Sequence, residues 1–140
     1  MKKLNHRFVE YIPKNLEEGV LYISIRFGTA VHKCACGCGN KTVTPLSPTD
    51  WELKYNGESI SLNPSIGNWS YPCQSHYWII NDEIRWADKW SKEKIQANRA
   101  KQQINKKRYF NSSKTSSKES ESEDQSLWNK FKSWISNLMK

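Results

Sequence analysis

Three thiols fall within five positions, at Cys34, Cys36 and Cys38, and the fourth, Cys73, opens the run Cys73-Gln-Ser-His76. Thiolates and imidazoles are the donors that zinc takes in fours, and small domains supply them from a glycine-containing turn plus a second, distant segment. The spacing therefore predicts one zinc site closed by Cys34, Cys36, Cys38 and Cys73. A set in which His76 or His32 replaces one thiol meets the same donor count. Four thiolates leave no position for water, so the predicted role is structural. Unligated thiols are the competing reading, but three of them crowded into an open loop would oxidise readily.

If the thiols fill the metal site, His76 is left for other chemistry. A serine hydroxyl becomes a nucleophile when a general base accepts its proton. Ser65 stands in Pro64-Ser65-Ile66-Gly67, where proline and glycine predict an exposed loop, and Cys73 anchors the far side of that loop. Ser61 and Ser75 carry the same hydroxyl, and an alternating strand would point Ser75 away from His76. No GxSxG elbow is present. Asp50 and Asp82 are both candidates to orient the imidazole. The bland alternative for His76 is a hydrogen-bonded residue opening a strand.

The elements that must hold these groups are mostly strands. Val20 to Val31 alternates and is rich in β-branched and aromatic residues, which predicts a strand bulged at Gly28. Gly37 and Gly39 allow the turn that aims the thiols together. Lys41 to Thr44 reads as a short strand, Trp51 to Leu62 as a hairpin centred on Asn56-Gly57, Asn63 to Pro72 as a loop, and His76 to Trp86 as a second hairpin turning at Asn81-Asp82. The fold class is mainly β: a small antiparallel, zinc-stapled domain over residues 19–88. Residues 1–18 read as an N-terminal extension. A basic helix follows over residues 89–110. Residues 111–125 contain no aliphatic or aromatic side chain and predict a disordered Ser/Glu-rich linker. In residues 126–140 the apolar positions Leu127, Trp128, Phe131, Trp134, Ile135, Leu138 and Met139 form one helical stripe, which suits a protein contact or a membrane surface.

The net charge of +8 is unevenly spread. Residues 1–88 carry nine basic and nine acidic side chains, whereas residues 89–108 carry eight and one. Basicity thus belongs to the predicted helix and says nothing of what the β domain recognises. A nucleic-acid role would rest on that helix alone; its aromatic residues stand only at its ends, Trp90 and Tyr109-Phe110, and no base-reading motif is present. The N-terminal residues lack the apolar stretch of a secretion signal, which predicts a reduced, cytoplasmic chain with thiols rather than disulfides.

In order, HKCACGCG, PLSPTDW, SLNPSIGNW and CQSHYWI, between about Leu21 and Trp86, make this chain resemble a bacterial family of small proteins linked to ubiquitin-like conjugation genes and phage-defence regions, the BubE-type peptidases. The resemblance implies that Cys34, Cys36, Cys38 and Cys73 are the metal ligands, Ser65 the nucleophile and His76 its base. It also implies a bacterial ubiquitin-like protein as partner. The helix, linker and final segment lie outside the family pattern. The expected function is a zinc-stabilised serine hydrolase cleaving after the tail of a ubiquitin-like protein, with backbone amides near Gly67 and Asn68 holding the oxyanion. A non-catalytic zinc-binding interaction module is the alternative from another class.

Overall fold

A computed structural model describes residues 2–113 of the chain. The amphipathic segment 126–140 and the linker from residue 114 onward lie outside the described residues. The first compact unit ends at Gln96, and residue 97 opens the second.

Eight strands form two four-stranded sheets, each with its strands side by side in chain order. The first contains β1 (Asn5–Phe8), β2 (Val20–Ser24), β3 (Thr29–Lys33) and β4 (Lys41–Pro45); the second contains β5 (Glu52–Tyr55), β6 (Ile60–Gly67), β7 (His76–Ile80) and β8 (Glu83–Trp86). All pairings are antiparallel except β1 with β2. The mainly β class expected from the alternation is the class observed. One apolar cluster draws on both sheets: Leu21, Ile23 and Ala30 from the first, Ile60, Leu62, Ile66, Tyr77, Ile79 and Ile84 from the second. Strand β2 is buried along its whole length, which is why its sequence is apolar at nearly every position, whereas β4 alternates buried and exposed as a half-covered strand does.

Three expectations are corrected. Val20 to Val31 is a hairpin of β2 and β3, not one bulged strand: the chain reverses over residues 25–28, with the Gly28 amide donating to the Ile25 carbonyl at 3.1 Å and Gly28 at φ 54°. The misleading signal came from Ile25 and Phe27, large apolar residues that sit exposed at the turn and continue the alternation by chance. Residues 1–18 are no mere extension, since β1 lies parallel beside β2 and Leu4 is buried in the core. The Leu4 amide donates to Asp82 and the Ile84 amide to Lys2, so this segment ties the first sheet to the β7–β8 turn. A short polar strand, Asn-His-Arg-Phe, carries no sequence signal of its own. Lastly, residues 63–67 are not loop but the far half of β6.

Both hairpin turns lie where the Asn-containing pairs put them. Asn81 and Asp82 take φ of 50° and 65°, the two left-handed positions of a tight hairpin turn. Asn56 Oδ1 accepts from the amides of Glu58 and Ser59 at 3.0 and 2.8 Å and closes the β5–β6 loop. A helix, α1, covers residues 92–113. Its start is capped by Ser91, whose Oγ accepts from the Lys94 amide at 3.3 Å. Residues 111–113, expected as linker, are its last turn.

Candidate functional site

The β3–β4 turn and the β6–β7 loop bring all four cysteines together, with the sulfurs within 4.8 Å of one another. The Cys34 amide donates to the Asn40 carbonyl at 2.7 Å and the Gly37 amide to the Cys34 carbonyl at 3.0 Å, while Gly37 and Gly39 take φ of 86° and 78°. That backbone path needs glycine and folds three side chains inward. Across the cluster, the loop carrying Cys73 is tied to β4 by a hydrogen bond from the Tyr71 hydroxyl to the Lys41 carbonyl. The Sγ atoms of Cys34 and Cys36 are 3.3 Å apart, Cys34 and Cys73 4.0 Å, and Cys38 and Cys73 3.8 Å. Three donors thus come from one sheet and the fourth from the other. A metal ion held there would cross-link them.

Polar groups surround the sulfurs. Cys34 Sγ lies 3.0 Å from Ser75 Oγ and accepts from Asn68 Nδ2 at 3.4 Å; Cys38 Sγ accepts from Asn40 Nδ2 at 3.3 Å. The Asn40 backbone amide does most to pull the Cys38 thiol down to about 7, whereas burial does most to push the neighbouring Cys36 thiol up to about 12.

On the far side of Ser75 lies a second constellation. Between Leu62 and Ile66, β6 takes four residue steps while β7 takes two, from Ile79 to Tyr77; Gly67 then stands opposite His76. Ser65 is two residues from Gly67 and shares its face, so the irregular stretch presents its hydroxyl to the imidazole of His76. Ser65 Oγ lies 2.9 Å from His76 Nε2, and His76 Nδ1 lies 2.6 Å from the Asp88 carbonyl oxygen. A carbonyl only accepts, so Nδ1 carries the proton; in the neutral ring Nε2 is then the acceptor for the Ser65 hydroxyl. The ring is buried although it lies on the outer face of its sheet, because two indoles cover it: Trp69 with centroids 5.0 Å away and Trp90 at 5.1 Å. The two indoles stack on each other at 5.7 Å. Ser65 is only half-buried.

Gly67 is glycine for space rather than for conformation. A Cβ there would lie 2.3 Å from Trp69 Nε1, so the missing side chain is what lets the indole sit over the strand beside His76.

Several expectations change against this geometry. Neither Asp50 nor Asp82 supplies the partner for Nδ1, whose single proton is given to Asp88 O. Asp82 instead takes His6 Nδ1 at 2.9 Å and the Ile60 amide at 3.1 Å, and Asp50 accepts from Ser47 Oγ at 2.7 Å. The Asn68 amide is not available for an oxyanion, because it donates to the Ser75 carbonyl at 2.9 Å. The donor cluster contains neither candidate histidine: both His76 nitrogens are used as above, and His32, whose Nε2 lies 2.8 Å from the Tyr77 hydroxyl, keeps a buried Nδ1 without a hydrogen-bond partner among the described residues. Burial pushes the His32 imidazole down to about 4 and keeps it neutral. Sequence reasoning missed the Asp88 carbonyl and the indole cover of Trp69 and Trp90, and it named Asn68 for its backbone amide rather than for the side chain that reaches Cys34. A backbone acceptor leaves no mark in residue type, and two tryptophans twenty-one positions apart give no sign that they stack.

A family model described as "Bacterial ubiquitination-like system serine protease (BubE)" matches residues 8–87. The chain belongs to the BubE family. The matched span holds β2 through β8, the four cysteines, Ser65 and His76, and it stops just before Asp88 and Trp90, which orient and cover the histidine. The BubE name is that of a serine protease in a bacterial ubiquitination-like system, and the cysteine cluster of this member is one that could hold a metal ion. Neither the curated proteins nor the solved structures contain a match to the chain. No helix among the described residues is long and apolar enough to cross a membrane.

Proposed function

We propose that this chain is a zinc-stapled serine peptidase that hydrolyses the bond following the C-terminal tail of a bacterial ubiquitin-like protein, in the cytoplasm. The observation that carries the reading is the 2.9 Å contact between Ser65 Oγ and a His76 Nε2 whose opposite nitrogen is committed to a carbonyl. In the reaction Ser65 gives its proton to Nε2 as Oγ bonds to the scissile carbonyl carbon. The resulting imidazolium, steadied at Nδ1 by Asp88 O, passes that proton to the leaving amine as the carbon–nitrogen bond breaks. Water then gives a proton to Nε2 and attacks the acyl ester, and Ser65 regains its proton on release. For the oxyanion the Gly67 amide is the candidate: the Asn68 amide points to β7, so by alternation the Gly67 amide points away from β7 and outside that ladder.

The four thiols suit zinc. A tetrahedron with Zn–S bonds of about 2.3 Å has sulfur–sulfur edges of about 3.8 Å, and the three cited separations, 3.3 to 4.0 Å, bracket that edge. Bound there, the ion would neutralise thiolates and hold the two sheets in register, with no part in bond cleavage. The division into a catalytic β domain, a basic helix and a C-terminal segment 126–140 that contacts a protein or membrane is part of the same proposal.

A fluorophosphonate probe, which phosphorylates activated serines, tests the reading. The parent should be labelled at Ser65, and labelling should vanish in Ser65→Ala and His76→Ala while bound zinc stays at one per chain. A zinc-loaded, folded parent that is never labelled would mark the domain as a non-catalytic module.

A further inference from the structure

Strand β6 has eight residues and β5 has four. Their ladder ends with Glu52 opposite Asn63, so from Pro64 to Gly67 strand β6 has β7 on one side and, among the described residues, no strand on the other. Pro64 explains the stop, because it has no N–H to donate to a partner. Beside that open stretch is a cleft of ≈ 570 Å³, walled by Leu46, Trp51 and Pro64 and carrying Asp50, Glu52 and Asn63. Its volume is in the range of about 300–1,000 Å³ typical of ligand sites. The cleft runs up to Pro64, one bond from the nucleophile. An unpaired strand edge next to an open cleft is suited to an extended peptide, whose main chain pairs with the edge while alternate side chains enter the cleft.

The lining also states a charge. It contains two carboxylates and neither lysine nor arginine. Glu52 does meet Lys54 at 3.5 Å, but both side chains are at least 60% exposed, so water screens the pair and an incoming cation can replace it.

We infer that this cleft binds the residues on the acyl side of the scissile bond as an extended strand, and selects a basic side chain there through Glu52, with Asp50, already held by Ser47 Oγ, adding only to the negative field. The inference rests on the peptidase reading. The acyl side is the side to read, because a deconjugating enzyme meets the same tail in every substrate while the leaving group varies.

The test is a positional-scanning library of acetylated tetrapeptidyl aminocoumarins with the full-length, zinc-loaded chain. Arginine or lysine at one position before the scissile bond should be preferred over glutamate by about tenfold in kcat/KM, the ratio of a modest ion pair. Glu52→Gln should shrink that preference. Glu52→Lys, an exposed substitution checked for bound zinc and far-ultraviolet circular dichroism, should turn it toward glutamate. A charge-blind profile in the parent, or an unchanged preference in Glu52→Lys, overturns the inference. So does a parent that reacts with the fluorophosphonate at Ser65 yet cleaves no library member. A parent that fails to react at Ser65 removes the peptidase reading itself, and this inference with it.

Discussion

His76 can act as a base toward Ser65 in only one of its two neutral tautomers, and a single backbone oxygen selects it. Because the Asp88 carbonyl takes the Nδ1 proton, no carboxylate is needed to set the tautomer, and in the proposed reaction the imidazolium would keep that 2.6 Å hydrogen bond. Ser65→Ala and His76→Ala should each lower kcat by about 10²–10⁴, the usual worth of a positioned base, with zinc content unchanged in a metal assay. Gly67→Ala tests the indole cover: its Cβ would displace Trp69, and a shift of that ring beside the base should cost about tenfold or more in kcat while the melting temperature moves little. Equal activity in Gly67→Ala and parent would show that Trp69 does not position His76. Away from this site, His32 is a pH sensor of stability. Its unfolded imidazole titrates near 6.5, but burial holds the folded one down to about 4, so the unfolded chain takes up a proton that the folded chain refuses. Stability should therefore fall as pH drops from about 6.5 to about 4, by about 3 kcal/mol from this group. Urea titrations across that window should show a shallower slope in His32→Gln than in the parent.

Between elements, the junction to watch is the loop joining β6 to β7. Ser75 and Asn68 touch Cys34 Sγ, and they are chain neighbours of His76 on one side and of Gly67 and Trp69 on the other. Asn68 Nδ2 also lies 3.0 Å from Ser75 Oγ. The cysteine cluster and the Ser65–His76 pair are thus braced by one hydrogen-bonded corner, and breaking up the first should disorder the second. A structural zinc contributes about 10–16 kcal/mol in small units, against a total stability of about 5–15 kcal/mol for a domain. Cys34→Ser, Cys38→Ser or Cys73→Ser should accordingly unfold the β domain or make it melt in chelator. Elemental analysis of the folded parent showing no metal would refute the staple. Asn68→Ala should be milder, retaining zinc but reducing turnover as the corner loosens, which paired metal and kinetic measurements would separate.

For the whole molecule, stability and charge belong to different parts. The first unit carries the core and both constellations, and its N-terminal residues are part of it: with Leu4 buried and β1 paired to β2, removing residues 1–8 should cost at least the roughly 2–5 kcal/mol of one large buried side chain. Thermal melting of that truncation checks the point; an unchanged midpoint would mean that β1 is a passenger. Deleting residues 126–140, by contrast, should leave zinc content and melting temperature as they were and alter only association with a partner or membrane. If the β domain melts in that deletion, the segment is part of the core.

What the residues alone determined was what is written in residue type and local spacing. Alternation and β-branching announced a β fold; Asn56-Gly57 and Asn81-Asp82 announced two hairpins, since few residues tolerate those backbone angles. Thiols spaced by one residue among glycines announced a cysteine cluster that could hold a metal ion, and motif order announced the family. Tertiary structure alone decided the rest, because it depends on register and on backbone atoms that every residue shares. The pairing of Gly67 with His76 chose Ser65 over Ser61 and Ser75 as the hydroxyl facing the imidazole. Exposed Ile25 and Phe27 hid a turn behind an apolar pattern, and a polar β1 found its place only beside β2. A carbonyl at Asp88, rather than either expected aspartate carboxylate, orients the base, and no side-chain alphabet encodes that choice.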